Sequence, residues 1–437
     1  MISTIASVLL LLYALNKYNK GRYAWPLLAI VFFASNAFII NLGDAPVVKY
    51  KDFGLILLSG CCLLGRFRDP SFFRINHSMG ATIAAAFLLF FAVEFVYAVL
   101  TGVDTVGNIM AVSRDYLYAL SFFVFRKAPY NELRKGMSYI FKLCMLSCTL
   151  FVLQYFTHIP LVNTFIAESA INLGVYRMQV TPPLITLFLL SFLLFIRCGW
   201  KKWTLTVCLL FAVMLISQNR TPLIGLFLQI GLFLLLGKNV KNKVPIMMIA
   251  LVAFPFVNAM FESRQKNETS SFDVPVIQYI SQGDYQGLSM QNSFMYRIAM
   301  LAERTDFVFS NPEYLLLGVG PMHEETAQRK LDFKIGTANV SSAKVLRTCQ
   351  LDSPDIEWSP MLIRYGLVGL FVHLVIMIQI VFAFYKRRAD KTMMLGFLIY
   401  VSALAQSFSS AGMFGAMSLT TMMAFLIIYD KGWKAFK

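Results

Sequence analysis

MGATIAAAFLLFFAVEFVYAVL, residues 79–100, holds one charge, Glu94, in a run longer than the roughly 20 apolar residues that cross a bilayer as a helix. It has company. Apolar stretches also fall at about 2–15, 24–42, 53–65, 105–125, 137–158, 182–197, 203–217, 221–237, 244–260, 359–385, 392–408 and 412–429. Several are short for a crossing, so about 12 to 13 transmembrane helices are expected. Across 437 residues the chain is 58% hydrophobic and only 14% charged, with a mean hydropathy of +0.64. Those values exclude an ordinary soluble domain and predict an all-α polytopic membrane protein, because helices satisfy their own backbone in lipid. Lys17 and Lys20 follow the first apolar run with no small-residue cleavage site, so that run reads as a span.

A net charge of +16 would point to nucleic acid in a soluble chain. Here the basic residues are spread over many turns, and no nucleic-acid partner is expected. Alternate connections carry Lys17, Lys20 and Arg22; Arg66, Arg68 and Arg74; Arg126, Lys127, Arg134 and Lys135; Arg197, Lys201 and Lys202; Lys238, Lys241 and Lys243; Lys386, Arg387, Arg388 and Lys391; and finally Lys431, Lys434 and Lys437. These are more than half of the 39 Lys and Arg. The other short connections hold only Lys49, Lys51, Arg177 and Arg220. By the positive-inside rule the first set, with the C-terminus, is cytoplasmic. The polar stretch 261–358 then faces outward, between an N-terminal bundle at 1–260 and C-terminal helices at 359–437.

Outward arginines are few. Arg220 lies in Ser217-Gln218-Asn219-Arg220-Thr221-Pro222, a tight turn whose proline suits a first helical turn. Such an arginine either grips a phosphate with two parallel hydrogen bonds or snorkels to lipid headgroups. The same choice applies to Arg177, in Gly174-Val175-Tyr176-Arg177. From Ser293 to Thr305 the apolar spacing predicts an amphipathic helix near the membrane surface, with Arg297 and Arg304 sharing one edge of its apolar stripe, where they are either functional or simply a solvated edge. His323-Glu324-Glu325 reads as a solvated run, and neither histidine nor cysteine spacing suggests a metal site. Asp352, Asp355 and Glu357 precede Trp358 and a span carrying Arg364. They are boundary residues or, histidine being scarce, the best outward candidates for a general base. Within spans, Arg114-Asp115, Glu94 and Lys142 are functional candidates because charge is costly there.

The order of these features resembles the O-antigen polymerase and O-antigen ligase superfamily of bacterial envelope glycosyltransferases. The matching pieces are Ser217-Gln218-Asn219-Arg220-Thr221, Tyr296-Arg297, Asn311-Pro312 with Leu317-Gly318-Val319-Gly320, and Gly366-Leu367-Val368-Gly369-Leu370. They cover residues 205–375. The resemblance implies a glycosyltransferase of the inner membrane with a periplasmic large loop. Its donor and acceptor are undecaprenyl-pyrophosphate-linked glycans, no cofactor or metal is required, and a chain-length regulator protein is a partner beside membrane lipids. It further implies that Arg220 and Arg297, with Arg177 as a looser match, hold the donor pyrophosphate. Ligases of the superfamily carry a histidine near the end of the loop. This chain has Asp355-Ile356-Glu357-Trp358 there, while its histidines are His77, His158, His323 and His373. Asp355 or Glu357 becomes the expected base, with His323 an upstream stand-in. The leading expectation is a polymerase of lipid-linked repeat units. A ligase acting on lipid A-core is the alternative, and a precursor flippase is the rival from another class, which would place its charges at midplane.

Overall fold

A computed structural model of the protein describes residues 2–43, 47–75, 78–164, 178, 180–196, 198–217, 219–237, 276–291, 293–336, 338–339, 347–352 and 355–433. The chain is an α-helical membrane protein. In chain order the helices are α1 (Ile2–Asn19), α2 (Ala24–Ala34), α3 (Tyr50–Arg68), α4 (Met79–Leu100), α5 (Val106–Ser113), α6 (Leu120–Phe125), α7 (Tyr130–Thr157), α8 (Ile185–Leu194), α9 (Trp200–Ser217) and α10 (Arg220–Leu236). The large loop contributes α11 (Val276–Ser281), α12 (Tyr285–Ser289), α13 (Ser293–Ser310), α14 (Pro312–Leu315) and α15 (Glu324–Lys330). After it come α16 (Trp358–Lys386), α17 (Lys391–Gln406) and α18 (Ala416–Lys431). Among the described residues α4, α7, α9 and α16 are each long and apolar enough to cross a membrane. The expected span 244–260 lies outside the described residues.

Local chemistry sets the helix starts. Side chains of Ser78, Thr105, Asn219 and Asp390 accept from backbone N–H groups in the first turns of α4, α5, α10 and α17. Pro312 opens α14 directly after Asn311.

Several expected spans differ in detail; 24–42, for one, forms only α2 before the chain turns at Asn36–Ile39. The stretch 182–197 forms only α8, about 15 Å of helix, buried on almost every side. A segment that short serves as a core helix of the bundle. The stretch 105–125 is α5 and α6 joined through a 3-10 turn, Arg114–Ala119, tighter than the α-helix expected there. The span expected at 359–385 starts as α16 but breaks at Gly366, where φ is 59° and ψ is −161°. That region is essentially closed to residues with a Cβ. The 20 or so residues after the break still reach about 30 Å, a full crossing. The loop is not purely helical either. A two-stranded antiparallel ladder pairs β1 (Ala338–Asn339) with β2 (Arg347–Thr348), Ala338 opposite Thr348.

The two classes of connection gather at opposite ends of the bundle. At one end, Arg126 Nη1 donates to the Arg74 carbonyl at 2.7 Å, Lys127 pairs with Asp69, and Arg68 caps the carbonyls of Tyr18 and Asn19. There also Arg387 Nη1 meets the Tyr429 carbonyl at 2.6 Å. At the other end, Asn41 N–H donates to the Leu161 carbonyl at 3.0 Å, and Lys51 pairs with Asp115 at 2.7 Å. There the loop's His323 N–H donates to Asp104 at 3.0 Å. The described basic turns and the described part of the large loop therefore occupy separate poles. Most of the core is one continuous apolar cluster through the bundle, with two smaller clusters under the loop.

Candidate functional site

The loop enters the bundle through glycines. Gly318, at φ +66°, lies so close to α16 that an added Cβ would sit 2.4 Å from the Ile363 carbonyl oxygen. A Cβ on Gly366 would sit 2.4 Å from the Leu316 carbonyl oxygen. The close approach has a purpose in hydrogen bonding. Breaking α16 at Gly366 removes the helical partners of nearby carbonyls, and a buried carbonyl must bond elsewhere. Val319 N–H donates to the Ile363 carbonyl at 2.8 Å and Gly320 N–H to the Arg364 carbonyl at 3.0 Å. In return Val368 N–H donates to the Leu316 carbonyl at 3.1 Å. Two short glycine motifs, Leu317-Gly318-Val319-Gly320 and Gly366-Leu367-Val368-Gly369, thus clasp each other.

A buried polar knot holds the rest of the loop over this clasp. Glu324, 6% exposed, accepts from the N–H groups of Gln350, Leu351 and Asp352 at 2.6, 2.8 and 2.8 Å. It is the opposite of the solvated residue expected. Arg304 is only 2% exposed, so the expectation of a solvated edge fails for it as well. Its guanidinium donates to the carbonyls of Ile335 (2.6 Å) and Gln350 (3.3 Å) and to Glu303 (2.8 Å), and stacks 4.5 Å over Phe333. Burial pulls its pKa below the ordinary arginine value. His323 caps α15, its Nδ1 accepting from Glu325 N–H at 3.4 Å. Arg304, Glu324 and His323 build the loop.

Beneath the knot lies a cavity of about 520 Å³. Its walls include Asp115 and Tyr116 from the 3-10 turn, Asp352 from the loop, Glu357, Arg364 and Tyr365 from the start of α16, and the Ala411–Gly415 turn before α18. Four sequence candidates, Asp115, Asp352, Glu357 and Arg364, therefore meet on one surface. Glu357 caps the site's floor: its Oε2 accepts from the N–H groups of Gly412 and Met413, and its own N–H donates to the Ser407 carbonyl at 3.0 Å. Burial raises its carboxyl pKa above the usual range, against the opposite pull of those N–H groups and of Arg364. Arg364 Nη2 donates to Asp352 at 2.5 Å and to the Met322 carbonyl at 3.3 Å.

The remaining candidates sit elsewhere. Arg297 Nε donates to the Asp355 carbonyl at 3.1 Å, and the two side chains pair at 3.6 Å. That pairing commits Asp355 to an arginine and leaves Glu357 as the carboxylate of the two on the cavity wall. Arg114 does not neutralise its neighbour Asp115; it pairs with Asp52 at 2.6 Å, while Asp115 takes Lys51. Arg220 opens α10, which crosses α17 so closely at Gly225 that an added Cβ would strike Gln406 Nε2. Ser402 and Gln406 on the facing turn lead straight into the Ser407–Gly415 segment at the cavity, so Arg220 belongs to the same pole. Arg177 lies outside the described residues.

Sequence reasoning missed Tyr116, Tyr365 and the Ala411–Gly415 turn. Aromatic residues inside apolar runs carry no signal of their own, whereas Gly412 and Gly415 between two spans were a legible hint of a tight turn. A scan of protein-family models finds no match to the chain, and a search of curated proteins finds none similar to it.

Proposed function

We propose that the chain polymerises undecaprenyl-pyrophosphate-linked oligosaccharide repeat units, of an O-antigen or capsule-like polysaccharide, by metal-independent inverting glycosyl transfer. In this reading the basic pole is cytoplasmic, the large loop is periplasmic, and the chain sits in the bacterial inner membrane. One observation carries it: a buried carboxylate of raised pKa, Glu357, lines a cavity at the point where the loop re-enters the bundle. A carboxyl with a raised pKa is a stronger base than an ordinary one, which suits proton removal from a sugar hydroxyl.

In the proposed step a hydroxyl of the acceptor glycan attacks the anomeric carbon of the donor glycan as its bond to the pyrophosphate oxygen breaks. The bonding pair leaves with undecaprenyl pyrophosphate, and the hydroxyl proton passes to Glu357. Displacement from the face opposite the leaving group inverts the anomeric centre. Arg220, Arg297 and Arg177 are assigned to the developing charge on the pyrophosphate. For Arg297 this means exchanging Asp355 for phosphate. A part-exposed pair at 3.6 Å gives up about 1 kcal/mol or less when it opens.

The site's position supports an enzyme over a flippase. A flippase of the broken-helix kind works from discontinuities near the bilayer midplane. Here the break in α16 lies on the loop side of a segment long enough to cross unaided. Glu357 at the loop's exit, where the resembled ligases carry a histidine, favours the polymerase over the ligase.

The test is reconstitution of purified protein with synthetic lipid-pyrophosphate repeat units. Glu357→Gln should abolish chain extension, a loss of at least about 100-fold for a general base, while leaving membrane insertion intact. Polymer of normal length from that variant would refute the assignment.

A further inference from the structure

Arg364 is a helix residue held by the loop. It is carried by α16, yet its Nη2 donates to the Asp352 carboxylate at 2.5 Å and to the Met322 carbonyl at 3.3 Å, and both acceptors belong to the loop. Those acceptors are tied into one unit. Glu324, at the start of α15 just after Met322, accepts from the N–H groups of Gln350, Leu351 and Asp352. In the ion pair the Arg364 side chain is 13% exposed and that of Asp352 is 52% exposed, so the cation is the buried member. A buried cation that loses its partner is costly to leave uncompensated, and it turns to whatever acid stands within reach.

Glu357 is that acid. It opens α16 two turns before Arg364, on the same face of the helix. Long side chains on a helix lean toward its N-terminus, which is where Glu357 stands. Both residues line the one cavity, and Arg364 already exerts an attractive pull on the Glu357 carboxyl. The other charged and titratable groups around Glu357 are fixed in the bundle. Asp115 is held by Lys51 and by the Ala416 N–H, Tyr116 and Tyr365 stand beside it, and Glu94 of α4 lies beyond Tyr116. On the loop side, Asp355 is held by Arg297.

Resting on the polymerase reading, we propose that Arg364 is a positioning residue that couples seating of the loop to the base. With Asp352 and the Met322 carbonyl in place, the guanidinium is held off Glu357. When they lift away, it swings onto Glu357 and ties up the carboxylate. The base is thus released for proton removal only under a seated loop.

The experiment is an infrared titration of the full chain in nanodiscs, reading the carboxyl band that Glu357→Gln removes, beside a pH–rate profile of chain extension. Asp352→Asn hands Arg364 to Glu357. It should move the Glu357 midpoint toward acid by about one pH unit or more, the scale of an opposite charge brought close, and the acid limb of the rate should follow. Asp352→Asn with Arg364→Met removes both charges and leaves no lone buried ion, so its midpoint should return to the wild-type value or rise above it. Glu324→Gln, away from the cavity wall, loosens the segment that carries Asp352. It should shift the midpoint toward acid as well, and lose that effect in an Arg364→Met background. A midpoint unmoved by Asp352→Asn would overturn the proposal, as would an acid shift that persists without Arg364. Polymer formation that needs Glu357, with a midpoint indifferent to Asp352, would sink this inference and spare the enzyme. The Arg364-dependent shift in a chain that makes no polymer would do the reverse.

Discussion

Glu357 shows how one residue's surroundings decide its use. Asp355 and Glu357 are two positions apart and were indistinguishable as sequence, both acids before a tryptophan. Only the fold separates them, pairing the first with Arg297 and burying the second against the Gly412–Met413 turn. Because burial raises its pKa, activity should rise with pH along an acid limb centred above the ordinary glutamate value of about 4.3. Stability runs the other way. A raised native pKa means the fold favours the protonated acid, so that contribution is full below the unfolded pKa and fades as pH climbs through the native one. A pH–rate profile of chain extension beside a pH series of thermal unfolding checks both signs. An acid limb at or below 4.3 would show that another group is the base. Arg304 and Glu324 teach the complementary lesson. Charges at helical spacing beside apolar residues looked solvated, yet both are buried because the loop offers them backbone carbonyls and N–H groups 26 or more residues away. Such partners leave no local trace in a sequence.

At the scale of elements, the apolar runs were the readable part. Most fall on helices near the expected bounds, since the length and apolarity that lipid requires are properties of a segment by itself. The clasp was only half readable. Both glycine motifs were visible, but their meeting depends on which of many turns faces which, and the break at Gly366 interrupts what reads as an unbroken apolar run. Gly366→Ala tests the clasp directly. Its Cβ would be forced against the Leu316 carbonyl in a backbone region costing about 1–3 kcal/mol for other residues. The expected outcome is a lowered unfolding temperature and faster proteolysis within 312–330, with the helices before α11 unaffected. Wild-type protection of the loop in that variant would mean that the clasp contributes little. Gly231, with nothing within 4 Å of an added Cβ, is the matched control and should tolerate alanine.

For the whole molecule, charge parity in the sequence and polarity in the structure agree on two poles. Among the described residues Arg126, Lys127 and Arg387 lie at one pole, and the acidic cavity lies at the other. Placing the basic pole in the cytoplasm makes a labelling prediction. In intact cells, a cysteine at Ser281 in the loop should react with a membrane-impermeant maleimide, and one at Lys135 should react only after permeabilisation. Reversed reactivity would invert the orientation and remove the periplasmic reading of the site. Cys349 provides an internal control, because burial pushes its thiol up to about 11 and it should stay silent until the protein unfolds.

The exchange of hydrogen bonds between Leu316–Gly320 and the split in α16 bears on how such proteins can be recombined. A loop that completes the backbone of a membrane helix is not a module on a stalk. Grafted onto a foreign bundle, residues 261–358 would leave Val319 and Gly320 with no carbonyls to meet, and the host helix would close over its own. A working chimera must therefore be cut after the second glycine of the split helix, carrying Trp358–Leu370 along with the loop, and hybrids joined at the apparent membrane boundary should misfold however well their sugars match.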